Sequence, residues 1–276
     1  MWEGHALGNP ILGDPESIKS FNPYDIIEFL KKNYTPENII ISVVGDKISR
    51  SVLRSLVSGK FKALNILVQK DGNESIPLRA KKIDHIHLNT TKDTNLIYYS
   101  IGINSLHRTH PDRVVLFALS SMLGEGLNSR LFRRLRFEGG YTYDIKSSYQ
   151  LFSEGGILSI SGMSNSKTFP DVLKGVEIEL KNLVYKAATQ EEIEIVRNRL
   201  KSNLIFNLEN PELRAIRLAK LESWFMRIFS IEEELDMIRD VTAERIKDLA
   251  VRLLSNGASL CTAGDSNNIG NINLTI

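Results

Sequence analysis

The sequence predicts an α+β fold in which a mixed or antiparallel sheet is covered by helices and in which one unit occurs twice. Predicted strands lie mainly in the middle of the chain, and helices fill most of residues 168–255, a grouping typical of α+β proteins. A capped helix, an apolar strand and a Gly-Asp turn occur near both ends of the chain. Self-similarity at one long period indicates an internal duplication.

The two copies of this unit match at a nearly constant distance. Thr242 follows Asn22 by 220 residues, and Gly264-Asp265 follows Gly45-Asp46 by 219. A single one-residue gap therefore aligns them. The other matched pairs are Ile18 with Ile238, Phe21 with Val241, Ile26 with Ile246, Phe29 with Leu249, and Tyr34 with Leu254.

The first copy begins with a helix predicted from Pro23 to Lys32, because Asn22 is a good N-cap and proline suits the first helical position. Ile39–Val44 is a continuous, mostly β-branched apolar run and predicts a buried strand. Only 17 residues precede the first copy, whereas about 155 separate the linker from the second. A buried strand needs neighbours for its backbone. We therefore expect a truncated first repeat or a partner that completes its sheet.

Loss of periodicity around Asp71-Gly72-Asn73 predicts a linker. The expected domains are the end of a first repeat (1–66), this linker (67–80), a complete second repeat (81–266) and a polar tail (267–276). In the second repeat, strands are predicted at 82–90, 95–103, 143–151, 156–162 and 258–263, and helices at 111–123, 168–186, 189–207, 211–228 and 242–254.

The composition excludes several classes of protein. A formal net charge of +2 gives no basic field suited to nucleic acid. The single cysteine, Cys261, excludes an intrachain disulfide framework and fits a reducing compartment, so we expect a cytoplasmic location. No signal peptide is visible, and no apolar run reaches the roughly 18 residues that span a bilayer. We therefore expect a soluble chain without a membrane partner.

Residues 124–145 combine a glycine-rich turn, an arginine-rich helix and a tyrosine-bearing strand. With about 100° per residue along an α-helix, Arg136 lies next to Phe132 at the edge of an apolar face. The other arginines of the helix point roughly away from that face; they are Arg130, Arg133 and Arg134.

A strand that begins after Gly139-Gly140 could bring Tyr143 to the same place as Arg136. The two side chains would then donate hydrogen bonds to a carbonyl oxygen that becomes an oxyanion. Spacing alone favours the alternative, which is a solvated arginine face and a structural tyrosine.

Three segments carry a family resemblance. Gly4–Gly13 reads GHALGNPILG, Tyr34–Asn38 reads YTPEN, and Gly124–Tyr143 reads GEGLNSRLFRRLRFEGGYTY. Together with Val44-Gly45-Asp46, and in this order, they resemble the C-terminal half of the pitrilysin/insulinase superfamily of zinc peptidases, which includes the mitochondrial processing peptidase. The likeness covers nearly the whole chain.

This resemblance implies a duplicated metallopeptidase-type α+β fold whose two halves close over an extended peptide. Arg136 and Tyr143 occupy the positions of the family's Arg/Tyr pair, which acts on the substrate. Gly124, Gly126 and Ser129 are the matching candidates for substrate binding. Tyr141 stands where the family usually has leucine, so its hydroxyl competes with that of Tyr143 for the role.

The resemblance places zinc in the other half, on an H-x-x-E-H motif with a distant glutamate as the third ligand. None of the five histidines belongs to such a motif, so we expect zinc in the complete enzyme and none on this chain. His85 and His87 point to opposite faces of a predicted strand, which opposes chelation. His110 fits a helix cap better than a ligand. Gly124-Glu125-Gly126 does not match a phosphate loop, because it follows a helix and not a strand and lacks the lysine of that motif.

We therefore expect the zinc-lacking half of a metallopeptidase that hydrolyses peptides or unfolded proteins, inactive on its own. In the complete enzyme, zinc-bound water and the motif glutamate would attack the peptide, which would bind in extended form along a strand edge. The alternative is a non-catalytic partner or scaffold that pairs with a separate zinc-bearing subunit. Both hypotheses predict that the chain associates with a zinc-bearing half or forms a homo- or hetero-oligomer.

Overall fold

The computed structural model describes residues 2, 4–47, 49–61, 87–91 and 94–264. They belong to two compact units. The sheet unit is drawn from residues 77–204 and 229–276, and the helical unit from residues 2–76 and 205–228. The predicted linker and tail, and the side chains of His85 and His87, lie outside the described residues.

The α-helices of the described residues have ends set largely by local sequence. Asn22 caps one of them by accepting hydrogen bonds from the N–H groups of Tyr24 and Asp25, and Thr242 caps the matching helix of the second copy. In chain order the helices are α1 (Pro15–Ser20), α2 (Pro23–Asn33), α3 (Arg50–Phe61), α4 (Arg113–Gly124), α5 (Phe169–Tyr185), α6 (Gln190–Glu209), α7 (Pro211–Phe225), α8 (Ile231–Arg239) and α9 (Ala243–Leu254).

The sheet unit contains one mixed sheet of five described strands. Their spatial order is β1-β5-β2-β4-β3; β1 and β5 are parallel, and the other neighbours are antiparallel. β3 therefore lies at one edge. The strands are β1 (His87–Thr91), β2 (Leu96–Ser105), β3 (Thr142–Leu151), β4 (Gly156–Asn165) and β5 (Ser259–Gly264).

One face of this sheet carries the hydrophobic core. Alternate residues of β2 and β4, such as Ile101 and Ile160, are fully buried, as the two-residue period of a strand requires. Helices α4, α5 and α9 pack on this face. The α+β fold class predicted from the sequence is confirmed. Apart from Ile39–Val44, the predicted strand and helix ends that fall on described residues lie within a few residues of the observed ones. Helix α8 was not predicted as a separate element.

The two copies of the repeated unit share their helices but differ in burial. Ile26 on α2 is 57% exposed, whereas the matching Ile246 on α9 is 1% exposed. Phe29 and Leu249 show the same contrast, at 61% and 0%. The pattern of apolar residues is common to both copies, but only the second copy is covered by a sheet and neighbouring helices among the described residues.

The prediction of a buried strand at Ile39–Val44 is wrong for this chain. The segment forms no strand, and Ile40, Ile41 and Val43 are exposed. Its counterpart β5 is a strand because β1 and β2 pair with it on either side. No strand is present among the described residues of the helical unit that could pair with Ile39–Val44 in the same way. Ile39–Val44 thus has the composition of a strand but no neighbouring strand among the described residues.

Candidate functional site

Arg136 lies on a π-helical turn, Phe132–Glu138. At its end the Gly139 N–H donates to the Arg134 carbonyl at 3.1 Å, a bond that spans five residues instead of four. The α-helical geometry assumed from the sequence is therefore wrong over this stretch, because its backbone hydrogen bonds enclose one more residue than those of an α-helix. Single π turns within helices occur frequently at functional sites.

The side chain of Arg136 is exposed above a buried layer. Leu131 and Leu135 are fully buried, whereas Arg136 is open to solvent. Its guanidinium carbon lies 5.4 Å from the centre of the Phe132 ring, which is within cation–π range. The predicted position of Arg136 next to Phe132 is correct, and the aromatic ring limits the directions that the guanidinium can take.

The chain then reverses and begins β3 beside the π turn. The Tyr141 N–H donates to the Leu135 carbonyl at 2.8 Å, which ties the start of β3 to the residue before Arg136. Gly140 adopts a φ of +62°, a conformation that glycine reaches without strain. At Gly139 a Cβ would lie 2.3 Å from the Tyr141 ring, so the aromatic ring occupies the space that a side chain there would need.

Tyr143 is the extra residue of a β-bulge. Thr142 pairs with Ser164 and Asp144 pairs with Met163, so two consecutive residues of β4 face three residues of β3. Tyr143 has no partner in this register, and its side chain is 64% exposed. Bulges redirect side chains and are common next to active sites. Arg136 and Tyr143 thus lie on adjoining segments that both depart from regular geometry, and both are exposed.

The other predicted substrate-binding residues make internal contacts. At Gly124 a Cβ would lie 2.3 Å from the Ser147 backbone nitrogen, which shows how closely α4 approaches β3. Gly126 has a φ of +81°. Ser129 is buried, and its Oγ donates to the Gly126 carbonyl at 2.7 Å. These contacts shape the turn before the arginine helix, while substrate binding by the three residues stays a prediction.

The alternative of a solvated arginine face is wrong for two of the arginines. Arg130 forms a two-pronged ion pair with Glu192 on α6, at 2.6 and 2.8 Å, and Arg134 pairs with the buried Glu179 on α5. Burial raises the pKa of Glu192, but its bonds to Arg130 and Thr189 outweigh burial and hold it below the usual value. These pairs fix the arginine helix to α5 and α6 and leave Arg133 and Arg136 exposed.

A cleft of about 570 Å³ lies between the arginine helix and the α5–α6 connection. Its lining has no net charge, which gives no argument for an ionic ligand. The basic members are Arg130, Arg133, Arg134 and Lys186, and the acidic members are Glu138, Glu179, Glu191 and Glu192.

The prediction that His110 caps a helix is wrong: Asp112 is the N-cap residue of α4. The His110 Nδ1 accepts instead from the N–H of Asp112, at 3.0 Å. Burial lowers the pKa of His110. Asp112 in turn binds two arginines of α9, Arg245 at 3.0 Å and Arg252 at 2.5 Å. Burial raises the pKa of Asp112, but the bonds and charges of Arg252 and Arg245 outweigh it and hold the pKa below its usual value. This cluster joins α4 to α9.

The described side chains form no site that fits zinc. The sequence has no H-x-x-E-H motif. Within the described residues, no group of three or more His, Cys, Asp or Glu side chains could hold a metal ion. In the same part of the chain no helix is long and apolar enough to cross a membrane.

Comparison with known proteins identifies the family and the fold of this chain. Residues 20–200 match the family described as "Peptidase M16 inactive domain", and this match covers more than half of the chain. The chain belongs to this family. Its fold is that of a solved peptidase M16 inactive domain from Pseudomonas fluorescens, with a TM-score of 0.84 and 18% identity over 96% of this chain and 63% of that one. A protease from Helicobacter pylori has a TM-score of 0.80 and 20% identity, covering 92% of this chain and 61% of its own.

The M16 chain also resembles proteins named as zinc proteases. An uncharacterized zinc protease of Bacillus subtilis, YmxG, is 26% identical over 265 residues, which are 96% of this chain and 63% of the relative. Another from Mycobacterium leprae, ML0855, is 27% identical over 260 residues, or 92% of this chain and 57% of the relative. The chain thus spans less than two thirds of the length of these relatives.

Proposed function

We propose that this chain is the zinc-lacking half of a zinc protease-like protein and that it presents Arg136 and Tyr143 to a peptide substrate. One observation carries the proposal: the two exposed donors lie on a π turn and a β-bulge that meet through the Tyr141–Leu135 hydrogen bond. Both irregularities are typical of functional sites.

The chemistry of the pair suits a peptide carbonyl. A guanidinium and a phenol are donors, and charge-assisted bonds to an oxygen that gains negative charge are stronger than neutral ones. Donors fixed in place before the reaction stabilise such an oxyanion most effectively. In this proposal Arg136 and Tyr143 bind and orient the carbonyl, and zinc-dependent hydrolysis belongs to the other half.

The position of β3 suits an extended substrate. β3 is an edge strand of the described sheet, so one side of its backbone is available to another strand. Extended peptides often bind by adding to such an edge. Tyr143 lies at the start of this strand, next to the π turn that carries Arg136.

The helical unit supports the proposed association with a zinc-bearing half. Its apolar residues on α2 match those that α9 buries in the core of the sheet unit, yet they are exposed here. Ile39–Val44 likewise matches the paired strand β5 but has no neighbouring strand among the described residues. Many large apolar side chains exposed along one helix and the segment that follows it are typical of an interaction site. The proposed occupant is the zinc-bearing half, whether joined to this chain or on a separate subunit.

The test is hydrolysis of a fluorogenic peptide library by the complete protein, or by this chain combined with its zinc-bearing half. We expect Arg136→Gln and Tyr143→Phe each to lower kcat/KM by about 10² to 10³, as removal of an oxyanion donor does. Arg133→Gln is the matched control, because Arg133 is exposed on the same turn and its one ion pair within the described part of the chain is a 3.9 Å contact with Glu138. Unchanged activity in the Arg136 and Tyr143 variants, with a functional assembly, would refute the proposed roles.

A further inference from the structure

The bulge that carries Tyr143 is held by one buried hydroxyl. Thr142 is 6% exposed, and its Oγ1 lies 2.8 Å from the Asp144 carbonyl oxygen and 2.6 Å from the Met163 carbonyl oxygen. The single hydroxyl proton is therefore shared between the residue after Tyr143 and the opposite strand. Because the group is buried, water competes little for these bonds.

Two further contacts fix the same backbone. The Asp144 carbonyl lies where a side chain of Gly162 would be, since a Cβ there would approach this oxygen to 2.2 Å. On the other side of Tyr143, the Thr168 Oγ1 donates to the Tyr141 carbonyl at 2.8 Å. The backbone is thus anchored both before and after Tyr143, whose own ring is mostly in solvent.

Thr142 differs from the other hydroxyls buried beneath the bulge. Ser164 lies directly opposite Thr142 in the sheet and is fully buried, and Tyr99 is buried on the same face. The Ser164 hydroxyl has no hydrogen-bond partner among the described residues, and the Tyr99 hydroxyl lies beside that of Thr142. Burial raises the pKa of Tyr99 to about 12, although the nearby Thr142 hydroxyl acts in the opposite direction. Of the three, Thr142 is the hydroxyl that bonds to the bulge.

We propose that Thr142 is a positioning residue, which sets the direction of the Tyr143 side chain through the backbone of the bulge. This inference rests on the proposed role of Tyr143. An exposed ring with few contacts of its own takes its direction from the Cα–Cβ bond. Here the direction of that bond is set by the hydrogen bonds from the Thr142 hydroxyl to the Asp144 and Met163 carbonyls. Loss of the hydroxyl frees the bulge to change its backbone angles while the flanking ladder persists.

The experiment uses the complete protein, with activity and the order of the Tyr143 ring as separate readouts. Thr142→Val removes the hydroxyl at nearly constant shape and should lower kcat/KM by about 10-fold, mainly in kcat, an effect expected from a small misplacement of a reacting group. Thr142→Ser keeps the hydroxyl and should retain most of the activity. Ser164→Ala is the matched control, because it removes a neighbouring buried hydroxyl that makes no bond.

A double mutant distinguishes positioning from a general structural effect. If Thr142 acts through Tyr143, Thr142→Val should cause no further loss in a Tyr143→Phe background, because coupled residues are not additive. An undiminished further loss would overturn the inference. Fluorine NMR of fluorotyrosine-labelled protein, with the Tyr143 signal identified by its absence in Tyr143→Phe, should show a more mobile ring in Thr142→Val only.

The two proposals can fail separately. If Tyr143→Phe retains full activity, the proposed role of Tyr143 is wrong, and the NMR signal alone decides whether Thr142 orders the ring. If Tyr143→Phe is impaired but Thr142→Val is fully active with an unchanged Tyr143 signal, the positioning role is wrong and the proposed function stands.

Discussion

The strongest prediction compares the same residue type at matched positions of the two copies. Ile26 on α2 and Ile246 on α9 are 220 residues apart and occupy equivalent sites, but they are 57% and 1% exposed. Truncation of each to alanine removes the same atoms. The difference in the free energy of unfolding therefore reports how far each site is covered by other parts of the protein.

The magnitudes follow from burial. Ile246→Ala should cost about 2–5 kcal/mol, the range for truncation of a fully buried isoleucine. Full burial of an isoleucine side chain contributes about 1.5–3 kcal/mol. Since more than half of Ile26 is exposed, Ile26→Ala should cost only about 0.5–1 kcal/mol in this chain alone. Once the zinc-bearing half covers α2, the same substitution should cost about 2–5 kcal/mol.

Equilibrium urea denaturation, followed by circular dichroism, measures both variants in the chain alone and in the complete protein. The prediction is a large effect for Ile246→Ala in both samples and an effect for Ile26→Ala that grows severalfold in the complete protein. Equal costs in the isolated chain would show that α2 is already covered. A cost for Ile26→Ala that does not grow would show that the zinc-bearing half binds elsewhere.

Three further predictions concern stability. Asp112→Asn should lower the free energy of unfolding by about 1 kcal/mol at neutral pH, after allowance for the exposure of its two arginine partners. Because the pKa of Asp112 is lowered, its contribution is present above about pH 4 and is lost as the pH falls. Urea denaturation at pH 7 and 3 should therefore show that the free energy of unfolding falls less on acidification in the variant. The pKa of His110 is lowered by burial, so its contribution is present above about pH 6.5 and is lost as the pH falls through the folded-state value; an NMR titration that gives a raised pKa would contradict this. Gly124→Ala should destabilise the protein by about 2 kcal/mol or more, because the new Cβ would lie 2.3 Å from a backbone nitrogen of β3. Gly59→Ala in helix α3, where nothing lies within 4 Å of the new Cβ, should stabilise it by about 0.5–1 kcal/mol. Thermal denaturation should therefore show a lower Tm for the first variant and a higher Tm for the second.

Features fixed by neighbours along the chain were predictable from the sequence. Asn22 and Pro23 define the start of α2, because a cap and a first-turn proline act within a few residues. The same local logic could have found α8, since Ser230 and Glu233 form a capping box that is visible as S-x-x-E. Family motifs, and not periodicity, singled out Arg136 and Tyr143.

Features that depend on distant partners were not predictable in the same way. The ion pair of Arg130 joins residues 62 positions apart, and no spacing rule connects them. Ile39–Val44 has the composition of a strand, but a strand exists only when a neighbour accepts its hydrogen bonds. The π turn lies beside Leu131 and includes Leu135, which are both fully buried. Its sequence shows only an ordinary helical pattern.

The bulge is visible in the burial pattern of β3, and that pattern bears on function. Thr142 and Ile145 are both buried although they are three positions apart in β3. Residues on one face of a regular strand are an even number of positions apart, so one residue between these two is surplus. The partners of Thr142 and Asp144 are consecutive residues of β4, Ser164 and Met163. The ladder would therefore close in regular alternation without Tyr143. The sheet gains no pairing from this tyrosine, and yet a buried hydroxyl of Thr142 is committed to holding the backbone around it. Because pairing and core burial do not account for the extra residue, the contact that does is to be sought on the exposed side, next to Arg136.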